Sequence, residues 1–368
     1  MIWLSVVAFL ISVLSAGAIV RWARGHAATY GKDMPQRHHA GDVPRLGGVA
    51  LLLGMLVAWG LGVAQTQWWG DPGSLRLGSW VGWWALAMLP AALGGVAEDI
   101  TQRLTVRYRL ALTAASAGIA VWALGLEVPR LGWAWLDPML PTMPWIGLGL
   151  ALLAVAGLPH AFNIIDGYNG LAGMVAIIVC LALAHVALQV GDRSMAALLV
   201  MAAAASGGFL CWNYPRGVLF AGDGGAYVWG LVVALASLSL VQRNADVSPW
   251  FPMLLLIYPV WETVFSIYRK VVRGVSPGVA DALHFHQLIY RRIVRGFFHD
   301  DDSARRMLMR NNRTSPYLWA FTLLTVVPAV LFWNNTPVLM AFCALFVVSY
   351  VVAYLAIVRF KVPHWLRY

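Results

Sequence analysis

The sequence predicts an all-α integral membrane protein of about eleven transmembrane helices. Three observations predict it: 60% of the 368 residues are hydrophobic and 11% charged, the apolar residues lie in long unbroken runs, and the basic residues gather in alternate loops. Soluble domains carry roughly 25% charged residues, so a chain of mean hydropathy +0.71 has more apolar surface than a water-soluble core absorbs. Lipid is the other solvent, and about 20 apolar residues cross it as a helix. A β-barrel would show short alternating segments instead.

The apolar runs read as spans at about 2–22, 46–65, 79–97, 109–126, 144–162, 171–190, 195–212, 224–241, 250–268, 316–333 and 337–358. The first has no basic residues ahead of it and carries Arg21 and Arg24 behind it, the pattern of an N-outside span rather than a cleaved signal peptide. With the N-terminus periplasmic, the inside segments become 21–45, 98–109, 163–170, 213–223, 269–315 and 359–368. These hold 22 of the 26 Lys and Arg, leaving Arg76, Arg130, Arg193 and Arg243 outside. Cytoplasmic loops carry the excess of Lys and Arg, so the split places the C-terminus in the cytoplasm. It also explains the net charge of +10 by topology, with no nucleic acid as partner.

Trp68-Trp69, Trp83-Trp84 and Trp133/Trp135 fit interfacial belts. Cys180, Cys211 and Cys343 lie inside apolar runs without metal-ligand or disulfide spacing, and read as small hydrophobes. No repeat or low-complexity tract interrupts the chain, so residues 1–368 read as one membrane domain. Its long cytoplasmic loop, 269–315, carries a short amphipathic helix near 284–295.

Most polar residues that stand out fall on the inside. The first inside loop contains Asp33, Pro35, Arg37, His39 and Pro44-Arg45-Leu46-Gly47-Gly48. Glu98-Asp99 opens the second. Asn163-Ile164-Ile165-Asp166-Gly167-Tyr168-Asn169-Gly170 forms the third. Asn213 is followed ten residues later by Asp223 among glycines, and His284-Phe285-His286-Gln287 lies in the fifth. Each has a bland reading: a solvated helix end for Glu98-Asp99, a helix–helix turn for Asp166 or Asp223, a headgroup contact for the histidines. Together, carboxylates at several helix ends make a site for a hard cation, because magnesium takes one or two carboxylates plus water and substrate phosphates. Arg and His beside them would neutralise phosphate oxygens. Glu262, inside a span, is a functional candidate on the cost of burying charge in lipid. These residues read as phosphoryl chemistry at the cytoplasmic membrane surface.

The same residues resemble the polyprenyl-phosphate N-acetylhexosamine-1-phosphate transferase superfamily, in order from about residue 30 to about 290. Asp33, Pro35, Arg37, His39 and Pro44 to Gly48 are similar to its Asp-x-Pro segment and Pro-Arg-Leu-Gly-Gly. Ala161 to Gly167 is similar to Asn-Ala-Phe-Asn-x-x-Asp-Gly. Asn213 and Gly222-Asp223-Gly224 are similar to an Asn and a Gly-Asp motif at the same interval. Pro259 to Thr263, Arg269 and Ser276-Pro277 resemble the branch that starts O-antigen, common-antigen and teichoic-acid-type glycans, rather than the MurNAc-pentapeptide branch. The chain departs from the family at Glu98, where two adjacent aspartates are usual, at Asn169 and Glu262, which replace Asp, and at Gln287, which replaces His.

The resemblance implies a bacterial cytoplasmic (inner) membrane enzyme that moves N-acetylglucosamine-1-phosphate from a UDP-sugar to undecaprenyl phosphate and releases UMP. UDP-GalNAc, UDP-FucNAc and UDP-QuiNAc are alternative donors, a transport or non-catalytic membrane protein is the alternative of another class, and oligomeric state stays open. It implies Mg2+, or Mn2+, on Asp223, with Asp99 and Glu98 orienting or deprotonating the lipid phosphate and His284 in the catalytic set. Asn163, Asp166, Asn169, Asn213, Arg37, His39 and His286 would bind substrate.

Overall fold

The computed structural model describes residues 1–23, 25, 42–68, 75–276, 278, 283–294 and 302–359, and among them every regular element is helical. The helices are α1 (Ile2–Trp22), α2 (Gly47–Trp68), α3 (Trp80–Thr101), α4 (Val106–Leu124), α5 (Pro144–Ile165), α6 (Leu171–Gln189), α7 (Arg193–Asn213), α8 (Gly222–Arg243), α9 (Trp250–Leu255), α10 (Ile257–Val272), α11 (Phe285–Arg292), α12 (Ser303–Leu331) and α13 (Thr336–Val358). A short 3-10 turn, Asp137–Thr142, precedes α5.

Each of the eleven apolar runs is helical. Among the described residues nine helices are long and apolar enough to cross a membrane; α4 and the α9–α10 pair are not among them. Helix α4 carries Arg107 and Arg109 in its first turn. The run at 250–268 is broken at Leu256. Pro259 has no N–H for the carbonyl four residues earlier, and its ring clashes there, so the chain makes a short helix and a 16-residue one.

Helix α8 is the axis of the bundle, because it is apolar all round and such a helix is stable only when enclosed. Every residue from Gly224 to Ser237 is buried, with α2, α3 and α5 against it. Gly230 lets α5 lie backbone-close, since a Cβ there would strike the Pro159 backbone. The rim is the reverse: Leu14, Trp22, Trp122, Leu345, Val348 and Val352 are all exposed. Exposed apolar side chains spread over several helices suit hydrocarbon rather than water.

Contacts sort the helix ends into two groups. At one end meet the start of α2, the end of α3, the starts of α4 and α8 and the ends of α5 and α7. At the other, Arg243 lies 3.6 Å from Asp192, Ser194 donates to the Arg76 carbonyl, and Arg130 donates to the carbonyls of Asn244 and Val247. The four arginines assigned to one side by sequence thus belong to elements that meet at a single end of the bundle.

The 269–315 segment is less of a loop than the sequence reading has it. The amphipathic helix expected near 284–295 is α11. Helix α12 begins at Ser303, so the polar residues before the apolar run at 316 are helical too. Asp302 starts it by accepting the backbone N–H groups of Ala304 and Arg305 at 2.9 and 3.3 Å, an N-cap that joins a polar turn-former to a membrane helix.

Candidate active site

The site is built on the N-terminus of α8. A helix start leaves backbone N–H groups without intrahelical partners and attracts negative charge. Asp99, near the end of α3 and 4% exposed, fills that need from 124 residues away. Its Oδ1 accepts the Asp223 N–H at 2.8 Å and its Oδ2 the Gly224 N–H at 2.9 Å. The approach depends on missing side chains. Gly222 has φ +71° and a Cβ on it would strike Asp99 and the Arg45 carbonyl, and a Cβ on Gly95 would strike the Gly224 backbone.

Asp223 itself is held from both sides. Arg109 Nη1 donates to its Oδ2 at 2.6 Å, Asn163 Nδ2 donates to its Oδ1 at 2.8 Å, and the Tyr227 hydroxyl lies 3.4 Å from Oδ2. Arg109 and Asp223 remain partly exposed, at 23% and 19%. His160, one turn before Asn163, is 3.0 Å from the Thr113 hydroxyl and meets the Tyr227 ring edge-on. Arg109 was counted in the sequence only as an inside charge. A usable signal was present: a cation in a helix's first turn is disfavoured by the dipole, so it calls for an anionic partner.

Asp166 follows the last residue of α5, and its side chain makes no hydrogen bond to the described residues. Burial, helped by the Asp223 charge and opposed by Arg45, pushes its carboxyl up to about 7. Asp166 and Asp223 are thus close enough for their charges to interact, with Arg109 on Asp223 and Arg45 acting on Asp166.

Glu98 acts on this group through its charge, which supports the cationic form of Arg109. Its Oε2 accepts the Leu104 N–H at 2.6 Å and braces the turn between α3 and α4. Both oxygens of Asp99 are likewise engaged by backbone donors. The two residues expected at the lipid phosphate thus both accept backbone N–H groups in this arrangement.

Asn169 and Asn213 also serve the framework. Asn213 Oδ1 accepts the Gly170 N–H at 2.5 Å and its Nδ2 donates to the Leu219 carbonyl at 2.8 Å. The Asn169 N–H donates to Asn311 Oδ1 at 2.8 Å, Ser315 Oγ donates to the Asn169 carbonyl at 2.6 Å, and Asn169 Nδ2 donates to Asn312 Oδ1 at 2.9 Å. Asn312 is turned by its own donation to the Pro215 carbonyl at 2.6 Å. Asn169 therefore presents a donor here, as an amide can and an ionised carboxylate cannot. Asn311, Asn312 and Ser315 were not singled out in the sequence.

The histidine motif forms a second group. His284 starts α11 and lies 2.9 Å from Glu262. Gln287 Oε1 accepts the His284 N–H at 3.3 Å, the third-residue half of a capping box; glutamine serves that contact. His286 is buried and stacks on His284 with ring centroids 5.4 Å apart. Its Nε2 would be 2.9 Å from a Cβ on Gly167, so glycine beside Asp166 makes room for the imidazole and joins the two groups. Arg37 and His39 lie outside the described residues.

Among the described residues no three or more His, Cys, Asp or Glu side chains gather as a metal site. Asp223, expected to carry the metal, has Asp166 near enough for their charges to interact, and magnesium takes one or two carboxylates together with phosphate oxygens and water.

Residues 80–241, from α3 to α8, match the glycosyl transferase family 4 model. The match contains Asp99, Arg109, Asn163, Asp166 and Asp223 and stops short of the histidine group. A probable undecaprenyl-phosphate N-acetylglucosaminyl 1-phosphate transferase of Bacillus subtilis is 26% identical over 285 residues, 76% of each chain. The undecaprenyl-phosphate alpha-N-acetylglucosaminyl 1-phosphate transferase of Thermotoga maritima is 28% identical over 211 residues, 56% of this chain and 61% of that one. That of Escherichia coli K12 is 27% identical over 262 residues, 70% and 67%.

Proposed function

We propose, from the match of residues 80–241 to the glycosyl transferase family 4 model, that the chain is a member of that family and transfers N-acetylglucosamine-1-phosphate from UDP-GlcNAc to undecaprenyl phosphate, releasing UMP and starting a lipid-linked glycan. The observation that carries the reading is the meeting of Asp223, Arg109, Asn163 and Asp166 at one end of a membrane bundle. A polyprenyl tail stays in lipid there while its phosphate meets a soluble nucleotide. We read that end as cytoplasmic from the distribution of basic residues, giving eleven crossings of the bacterial inner membrane, counting α4 and the broken α9–α10 pair, with a periplasmic N-terminus and cytoplasmic C-terminus.

In the reaction an oxygen of the prenyl phosphate bonds to the sugar-linked phosphorus, and the bond from that phosphorus to the UMP oxygen breaks. The second pKa of a phosphate monoester is near 6, so the acceptor is dianionic at neutral pH and needs no strong base. What the site must supply is neutralisation and alignment of two anions. Arg109, held by Asp223 in the mouth of the site, brings fixed positive charge. Asn163 and Asp166 border the same space and are assigned to the nucleotide side. His284 and His286 approach it from α11 and are assigned to phosphate or sugar contacts, with Arg37 and His39 on the first inside loop as further phosphate ligands.

Asp223 and Asp166 would hold magnesium, which when bound neutralises the diphosphate and the departing UMP. Asp99, Glu98, Asn169 and Asn213 act one step back, as positioning residues. Asp99 fixes the start of α8 and so Asp223, Glu98 fixes the α3–α4 turn and so Arg109, and the two asparagines fix the turn that follows Asp166. UMP release from UDP-GlcNAc with undecaprenyl phosphate, using the purified protein in lipid nanodiscs, tests the reading. A panel of UDP-GalNAc, UDP-FucNAc and UDP-QuiNAc tests the donor. Absence of UMP with every donor would overturn it.

A further inference from the structure

Glu262, on α10, is fully buried, and donors from two other elements close on its carboxylate. His284 Nδ1 is 2.9 Å from Oε1, the Phe285 N–H reaches Oε1 and Oε2 at 3.2 and 3.3 Å, and the Tyr350 hydroxyl of α13 donates to Oε2 at 2.7 Å. The Phe285 N–H can only donate and it faces both oxygens, so the arrangement suits a carboxylate that accepts from every neighbour. With Glu262 ionised, the proton between it and His284 lies on Nδ1, and Nε2 is the nitrogen left for another partner. The ring plane is fixed as well: His284 lies parallel to His286, within 2°, and His286 reaches Gly167 next to Asp166.

Capping α11 does not by itself require this arrangement. The Phe285 N–H could be met by a neutral acceptor, whereas a carboxylate taken fully out of water is costly unless its partners are well placed. A carboxylate behind a functional imidazole, fixing its tautomer, is a recurrent use of such a group.

We propose that Glu262, steadied by Tyr350, is a positioning residue that holds His284 as the Nδ1–H tautomer and aims Nε2 at a phosphate oxygen of the substrates. This rests on the transfer reaction proposed above. It also gives the Glu262 departure a role, since the extra methylene over aspartate carries the carboxylate to the imidazole from α10.

The test uses full-length protein in nanodiscs with 15N-labelled histidine, the His284 signals being assigned by their loss in His284→Gln. Wild type should show a protonated Nδ1, and Nε2 should shift on adding either UDP or undecaprenyl phosphate; the ligand that moves it identifies the phosphate it faces. Glu262→Gln should abolish the Nδ1–H signature and lower kcat for UMP release at least about tenfold, with KM for UDP-GlcNAc within about threefold of wild type. Glu262→Asp should restore part of both. An unchanged kcat in Glu262→Gln, or an Nε2 that neither ligand moves, would overturn the proposal. If Glu262→Gln does not fold, the wild-type ligand titration decides. An intact Nδ1–H signal with a ligand-induced Nε2 shift, but no UMP release, would sink the transfer reaction and leave the oriented imidazole standing.

Discussion

Asp99 accepts the backbone N–H of Asp223 at 2.8 Å, so the carboxylate at the end of α3 determines where the carboxylate at the start of α8 stands. The contact engages Asp99 with a helix terminus, where a carboxyl oxygen meets each of two backbone N–H groups. Asp99→Asn places an amide NH2 against one of two backbone donors. It should destabilise the fold by about 1–2 kcal/mol, the range for a lost N-cap, and lower UMP release with it. Thermal unfolding and turnover measured on the same preparation check this; lost turnover at unchanged stability would make Asp99 a direct participant in the chemistry.

Arg109 should be indispensable, because it is the cation bonded to Asp223. Arg109→Gln removes the cation bonded to Asp223 and leaves Arg45 as the guanidinium acting on Asp166. Turnover should fall by about two orders of magnitude, the scale for losing one charge-stabilising group. Arg109→Lys should recover only part, since an ammonium lacks the planar fork. UMP release under saturating substrates is the measurement, and near-wild-type rates in Arg109→Gln would remove Arg109 from the site.

Asp166 gives the protein a pH signature without magnesium. Its folded-state pKa of about 7 lies above the ordinary 3.8, so the folded protein binds more protons between those values. Linkage then makes stability fall as pH rises from about 4 to about 7 and level off above. Melting temperatures in EDTA across that window should show the decline in wild type and a flatter profile in Asp166→Asn. Equal slopes would mean that the Asp166 carboxyl titrates normally.

The Asn169–Asn312 contact predicts a specific intolerance. Asn169→Asp replaces the donating amide by an oxygen 2.9 Å from an Asn312 oxygen, and Asn312 is kept from turning over by Pro215. The cost should be about 1–3 kcal/mol, that of an unsatisfied buried polar contact. A double-mutant cycle with Asn312→Ala should show coupling of about 0.5–3 kcal/mol; additive effects would mean that the two amides do not communicate.

The eleven apolar runs were legible as helices because lipid demands long unbroken segments, which sequence displays directly. Segments where a polar turn joins a membrane helix were not: α12 starts at Ser303 because Asp302 caps it, yet its first residues are as polar as any loop. The site divides on similar lines. Asp223, Asn163 and Asp166 stood out as polar residues at span ends with glycines nearby. Arg109 was hidden among topology-setting charges. The contacts of Asp99, Asn169 and Asn213 are made with groups brought close only by folding, and that of Glu98 with the turn after its helix, so no local pattern displays them. Gln287 and Asn169 read in sequence as replacements for His and Asp that keep hydrogen-bonding capacity, and in the fold both make hydrogen bonds.

The central claim is a phosphoryl transfer centred on Asp223, and the most direct measurement is UMP release from UDP-GlcNAc and undecaprenyl phosphate, with and without magnesium, by wild type and Asp223→Asn in nanodiscs. The account predicts magnesium-dependent UMP from wild type and none above background from a folded Asp223→Asn. Wild-type rates in Asp223→Asn, or equal rates in EDTA, would contradict it.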